Sequence, residues 1–125
     1  MNATDYYAWN KLDRNDWRDE MPSRCMRCSR KFGWHPDYYR WPEIHEILSR
    51  AQAPNNWAFR ANYLLLCNPC HASIGELSHA EQLGIKMVRD PTHYDLQLWL
   101  ERRNPAAMQY VTQEEVIESL KRRSA

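Results

Sequence analysis

The chain has 125 residues, 43% of them hydrophobic, and a formal net charge of only +1 at pH 7. This length fits one domain with a modest core, and the near-zero charge argues against a protein that coats nucleic acid through its overall charge. No apolar run is long enough to cross a membrane. The polar N-terminus has no apolar run behind it, so we expect a cytoplasmic protein without a signal peptide.

The first part of the single predicted domain is residues 1–23. Its net charge is −2, from three Lys/Arg against five Asp/Glu. Apolar and aromatic positions recur there at helical spacing until Pro22 ends the segment. The sequence therefore predicts a short packing helix, with its inward face on Tyr6, Trp9, Asp13 and Trp17.

All four cysteines lie in two Cys-x-x-Cys pairs, Cys25–Cys28 and Cys67–Cys70. A two-residue gap lets a tight turn aim both thiolates at one ion, and Zn²⁺ prefers four such ligands in a tetrahedron. The alternative is two disulfides, but a bridge within so short a ring is unusual and a reducing compartment disfavours it. We therefore predict one structural zinc site that joins the ends of residues 24–75.

Residues 24–75 carry seven Lys/Arg against three Asp/Glu, a net charge of +4, interleaved with aromatic residues. Such mixing suits phosphate contacts and base stacking, although cations packed on aromatic rings are also an ordinary way to build a small core. We predict nucleic-acid binding. The candidate contacts are Arg27, Arg30, Lys31, Arg50 and Arg60.

The last part, residues 76–125, reads as a helical extension. Ser78 with Glu81 can cap a helix within Leu77–Arg89, and Asp95 can cap a second over Leu96–Arg103. A capping box at 112–115 opens a third helix over Gln113–Arg123. The basic residues at its end meet the helix dipole, and we interpret them as solvated rather than as DNA contacts.

Three further elements lie between and beside the cysteine pairs: Glu43-Ile44-His45-Glu46, then Asn62 five residues before Cys67, then His71 directly after Cys70. In order and spacing this segment resembles the zinc-ribbon branch of the HNH endonucleases, over about residues 24–74. The tail is similar to that of small phage and bacterial relatives.

The resemblance implies an α+β protein built on a zinc-stapled ββα-metal module, which hydrolyses DNA phosphodiester bonds. One catalytic divalent cation, such as Mg²⁺, Mn²⁺, Ni²⁺ or Zn²⁺, would lie between a strand that ends near His45 and a helix that begins around Cys67 to His71. His71 would be a metal ligand, His45 would fall at the family's first ligand position, and Asn62 would orient the catalytic imidazole.

The departure from the family is Glu46, which stands where the general-base histidine is expected. Three interpretations are open. The strand is shifted, so that His45 is the base and Glu43 or Glu46 a ligand; Glu46 is itself the base; or cleavage is lost. A second ligand histidine is also missing, because Gly75 stands at its position.

The sequence thus supports two hypotheses. The first is an HNH-type endonuclease with His45, Glu46 and Asn62 as catalytic residues. The second is a noncatalytic zinc-ribbon module that binds nucleic acid or a protein partner, for example a phage accessory protein or inhibitor.

Overall fold

The computed structural model describes residues 3–36, 39–49, 51–53, 58–106 and 110–124, and within those ranges the side chains of residues 10–122. The chain is α+β: over the described residues, five α-helices accompany two small antiparallel sheets of two strands each. In this part of the chain no helix is both long and apolar enough to cross a membrane. Arg50 lies outside the described residues.

The N-terminal helix α1 spans Ala3–Glu20, as the sequence predicts. Trp17 is fully buried and meets Tyr63 edge-on, with ring centroids 5.5 Å apart. Its indole Nε1 donates a hydrogen bond of 2.9 Å to Asp90 Oδ2. The side chains of Tyr6 and Trp9 lie outside the described part of the helix. One buried aromatic residue therefore ties α1 to Tyr63 and to Asp90.

Strands β1 (Gly33–Trp34) and β2 (Tyr39–Arg40) form a short antiparallel sheet directly after the first cysteine pair. Gly33 has φ of +123°, a conformation that residues with a Cβ rarely adopt. The bridge between Arg24 and Lys31 closes the loop around the first cysteine pair. The loop of the first cysteine pair therefore leads directly into this sheet.

The second sheet pairs β3 (Pro42–Glu46) with β4 (Tyr63–Cys67) in antiparallel register, with Ile44 opposite Leu65. Every residue of β4 is buried, so this strand forms an apolar core under the second cysteine pair. Helix α2 (Asn68–Ser73) follows without a loop and packs on both strands. The strand, the second cysteine pair and the helix thus follow one another without an intervening loop.

The C-terminal helices are α3 (His79–Arg89), α4 (Leu96–Arg102) and α5 (Gln113–Ser124). The predicted caps are confirmed. Ser78 and Glu81 form the reciprocal capping box of α3, and Asp95 accepts a hydrogen bond from Leu98 N at the start of α4. Thr112 and Glu115 exchange the same pair of bonds at α5.

Helices α3 and α5 approach each other closely at Gly84. A Cβ added there would lie 2.8 Å from Ser119 Oγ, which is closer than real side chains come. Ser119 is fully buried and donates to the Ala80 and Val116 carbonyls, so its hydroxyl is satisfied within the helix contact. The absence of a Cβ at Gly84 and the small side chain of Ser119 therefore allow α3 and α5 to pack closely.

A buried ion pair links α3 to β4 and α1. Lys86 Nζ donates to Asp90 Oδ2 at 2.7 Å and to the Tyr63 carbonyl at 2.8 Å, and it lies 4.6 Å from the Trp17 ring. Burial lowers the pKa of Lys86 to about 8, against the raising effect of Asp90. Because the Lys86 ammonium contacts groups of α1 and β4 as well as Asp90, the ion pair stabilises the packing of α1, β4 and α3 against one another.

Replacing Lys86 by methionine is expected to lower the free energy of unfolding by about 3–5 kcal/mol, because it leaves the Asp90 carboxylate buried without its cation. Urea unfolding of the zinc-loaded protein measures the effect. Lys121→Met is the matched control, since Lys121 is exposed and its change should stay within about 0.5 kcal/mol. Equal effects of the two substitutions would contradict a structural role for the buried pair.

Candidate metal centre and histidine cluster

The two Cys-x-x-Cys pairs converge on one point. The sulfurs of Cys25, Cys28, Cys67 and Cys70 all lie within 4.8 Å of one another, and none of these cysteines is in a disulfide. The Cys28 and Cys67 sulfurs, one from each pair, are 3.8 Å apart. Four free cysteines gathered in this way could hold a metal ion such as zinc.

The sulfur spacing fits a tetrahedral metal. With Zn–S bonds of about 2.3 Å, the corners of a tetrahedron are about 3.8 Å apart, which matches the distance between the Cys28 and Cys67 sulfurs. The first pair sits in a turn in which the Cys28 amide donates to Cys25 Sγ. The second pair begins at the last residue of β4 and ends inside α2.

Hydrogen bonds and a buried cation favour thiolates at this centre. Burial raises the pKa of Cys25, but backbone amides, foremost that of Cys28, outweigh it and bring the pKa to about 7. Arg40 is buried and donates to Cys67 Sγ at 3.3 Å. Burial and the neighbouring thiols raise the pKa of Cys70. Four crowded sulfurs therefore need a cation to ionise together, as a bound metal would allow.

A second group of side chains gathers where β3 faces α2. Glu43 and His45 are two residues apart on β3 and so point to the same face. His71 from α2 meets both. Its ring lies 5.2 Å from the His45 ring, and its Nδ1 is 2.8 Å from Glu43 Oε1. We call Glu43, His45 and His71 the histidine cluster.

The Glu43 carboxylate fixes the tautomer of His71. A hydrogen bond from Trp41 Nε1 and another from His71 lower the pKa of Glu43, so the carboxylate is ionised and only accepts. His71 Nδ1 must therefore donate the proton in their 2.8 Å bond. A neutral His71 then keeps its lone pair on Nε2. This is the carboxylate–histidine arrangement that commonly prepares an imidazole to bind a metal.

Gln82 of α3 fixes the tautomer of His45 in a similar way. The Gln82 Nε2 group donates to the Leu77 carbonyl at 3.0 Å and to the Ile74 carbonyl at 3.5 Å, so its oxygen must point toward His45. That oxygen lies 2.8 Å from His45 Nε2, which therefore carries the proton. Burial lowers the pKa of His45, with a smaller contribution from His71. The result is a neutral imidazole whose Nδ1 holds a lone pair.

Glu46 points to the other face of β3. Its Oε1 accepts a 3.0 Å hydrogen bond from Arg14 of α1, which places it away from His71. The structure thus brings His45 and Glu43, rather than Glu46, to the histidine cluster.

Asn62 has a role different from the expected one. Its side chain accepts from the Leu48 amide at 2.7 Å, donates to the Leu48 carbonyl at 3.0 Å and accepts from Trp99 Nε1. These bonds do cross the loop between β3 and β4, but their partner is the Leu48 backbone rather than the His45 ring. Gln82 holds the imidazole instead, and Asn62 is a buried support of the loop.

The predicted nucleic-acid contacts fall into two groups. Arg30 and Lys31 are exposed beside the first cysteine pair, and Arg27 donates to Ser73 Oγ at 2.8 Å close by. Arg60 instead pairs with Asp13 and Glu20 of α1, so two carboxylates already offset its charge. We therefore leave Arg60 out of any proposed phosphate-binding surface. Arg50 lies outside the described residues.

Sequence reasoning missed Gln82 and Arg40 as partners of the site. Gln82 lies in a helix far along the chain, and nothing in its sequence neighbourhood marks it. Arg40 is one of the seven Lys/Arg residues of 24–75, and nothing in the sequence distinguishes it from the other six.

Among the described residues, the four cysteines are the one group of three or more His, Cys, Asp or Glu side chains close enough to hold a metal. Comparison with protein-family models, curated proteins and solved structures finds no match.

Proposed function

We propose that the protein is a metal-dependent endonuclease that hydrolyses DNA phosphodiester bonds, with a purely structural zinc at the four cysteines. The observation that carries this proposal is the histidine cluster: two imidazoles 5.2 Å apart, each held in a defined tautomer by a separate partner. A hairpin followed at once by a helix is also the arrangement that the resemblance to HNH endonucleases implies. The proposal extends that resemblance to the reaction.

In this proposal His45 is the general base. Its Nε2 proton is held by Gln82, so Nδ1 is the atom that accepts a proton from the attacking water. Partial burial keeps the ring neutral, which a base requires. Glu46 is excluded from this role because it pairs with Arg14 on the opposite face.

His71 offers Nε2 to a divalent cation, and Glu43 keeps the ring oriented. A divalent cation bound there would act as a Lewis acid on the scissile phosphate. One imidazole is a sparse ligand set, so substrate oxygens and water would complete the coordination, as is common for Mg²⁺. Without substrate, the protein should therefore bind this ion weakly.

A second candidate function is a noncatalytic module that binds nucleic acid or protein through the same zinc-stapled scaffold. The observation that favours it is the sparse donor set: Gly75 replaces a further ligand histidine, and the histidine cluster is not among the groups able to hold an ion unaided. In that case the zinc site and the basic surface remain, and cleavage is absent.

Nicking of supercoiled plasmid separates the two functions. Zinc-loaded protein is incubated with Mg²⁺, Mn²⁺ or Ni²⁺, and nicked and linear products are quantified on gels. We expect cleavage with at least one ion and a loss of about 100-fold in His71→Ala. His35→Ala is the matched control, because the His35 ring bonds the exposed Lys31 carbonyl and takes no part in the histidine cluster. Absence of nicking with every ion, or equal nicking by His71→Ala, would refute the endonuclease.

A further inference from the structure

Three large aromatic side chains stand exposed in a row beside the histidine cluster. Trp34 is 82% exposed, Tyr39 42% and Trp41 45%. The Trp34 and Tyr39 rings meet edge-on at 6.1 Å, and the Tyr39 and Trp41 rings are stacked at 6.2 Å with only 20° between their planes. We call these three residues the aromatic ladder. Apolar surface of this size left in water commonly marks a binding surface.

Cations adjoin one end of the aromatic ladder. Arg24 and Lys31 form the bridge that closes the first cysteine loop, and β1, with Trp34, begins two residues after Lys31. Within that loop Ser29 receives hydrogen bonds from Arg24 and, across the chain, from Arg89 of α3. Arg30 is exposed in the same loop. A polyanion would therefore meet positive charge next to the aromatic rings.

The other end of the aromatic ladder reaches the histidine cluster. Trp41 Nε1 donates to Glu43 Oε2 at 2.9 Å, and the other oxygen of that carboxylate holds His71. The hydrogen bond fixes the indole while its ring stays partly exposed. We call the loop of the first cysteine pair, with Arg24, Arg30 and Lys31, the basic loop. The basic loop adjoins the aromatic ladder, and the aromatic ladder adjoins the histidine cluster, so the three form one path.

We propose that the aromatic ladder binds a single-stranded nucleic acid, with unpaired bases stacked on Trp34 and its neighbours and phosphates at the basic loop. Base-paired nucleotides hide their faces inside the duplex, whereas unpaired bases offer them to aromatic side chains. The adjoining cations fit a phosphate backbone and argue against an apolar protein partner. In cleavage this path would deliver a strand to His45 and His71. That last step rests on the proposed function, but the binding does not.

Fluorescence anisotropy with labelled oligothymidylate of about 20 nucleotides tests the binding. Zinc-loaded protein is used without further divalent ions, so that no cleavage occurs. We expect Trp34→Ala to weaken binding about tenfold, while Trp34→Tyr, which keeps an aromatic face, stays within about threefold of wild type. Ile117→Ala is the matched control, because Ile117 is 42% exposed on α5, outside the path.

A blunt duplex of the same length distinguishes stacking from charge. Trp34→Ala should change its affinity less than about twofold, whereas Arg30→Ala should weaken both ligands and reduce the salt dependence of binding. No binding of oligothymidylate, or equal losses for both ligands in Trp34→Ala, would overturn the proposal. If Trp34→Ala weakens oligothymidylate binding but plasmid is never cut, the proposed endonuclease activity is refuted, whereas the proposed binding by the aromatic ladder is supported.

Discussion

Replacing Cys67 by serine is expected to abolish cooperative folding. Cys67 is fully buried, ends β4, directly precedes α2 and accepts the hydrogen bond of Arg40, so its sulfur lies at the junction of a strand and a helix. Structural zinc contributes about 10–16 kcal/mol of binding free energy at neutral pH, which is as large as the whole stability of a small domain, about 5–15 kcal/mol. Loss of one buried ligand should therefore leave no folded population.

Metal content by plasma mass spectrometry and urea unfolding by circular dichroism measure the outcome. Wild type should hold one zinc per chain and lose its cooperative transition in strong chelator, and Cys67→Ser should show neither zinc nor transition. Cys28→His is the control: Cys28 is exposed, and three cysteines with one histidine are an established zinc ligand set. A Cys67→Ser protein that unfolds at the wild-type urea concentration would exclude a metal-dependent fold.

Local signals predicted the helices well. The caps at Ser78, Asp95 and Thr112 each depend on a side chain and an amide three residues away, so the sequence contains both partners. The same holds for the cysteine pairs, since the two-residue spacing is itself the geometric requirement. These features need no knowledge of tertiary contacts.

The candidate site was less predictable because its deciding contacts join distant segments. Glu46 and His45 are adjacent in sequence, and only the register of β3 against β4, together with the position of Arg14, decides which of them faces His71. A strand slip of one residue would exchange their faces. Asn62 was noticed for its spacing, but Leu48 and Trp99, its partners, could not be read from that spacing.

The C-terminal helices bear on the site in a way that the sequence did not suggest. They were expected to be an appendage, yet α3 provides the side chain that fixes His45. The amide of Gln82 is itself held by two carbonyls at the turn between α2 and α3. Because every hydrogen of this amide is engaged, it cannot rotate to offer a donor to the imidazole. In the proposed reaction, a positioning residue held this firmly would preorganise His45 as the base at little cost.

Replacing His45 by alanine is expected to lower DNA cleavage by about 10²- to 10⁴-fold, the usual contribution of a general base. Glu46→Gln is the matched control. It should leave cleavage within about twofold, because Glu46 pairs with Arg14 away from the cluster, and an ion pair that is still partly exposed contributes on the order of 1 kcal/mol or less. Single-turnover plasmid nicking measures both. The reverse order, with Glu46→Gln inactive and His45→Ala active, would assign the base to Glu46 and contradict the face that the strand presents.

Gln82→Leu separates the orientation of His45 from its presence. The imidazole stays, but its Nε2 proton loses the acceptor at 2.8 Å, so the ring should exchange between tautomers and cleavage should fall about tenfold. Nitrogen-15 NMR of the labelled ring distinguishes a protonated nitrogen from a bare one and reports the tautomer directly. In wild type the bare nitrogen should be Nδ1 alone. A wild-type ring with its proton on Nδ1 would show that Gln82 does not position the base, whatever the activity of the variant, since the nitrogen proposed to receive the proton from water would already carry one.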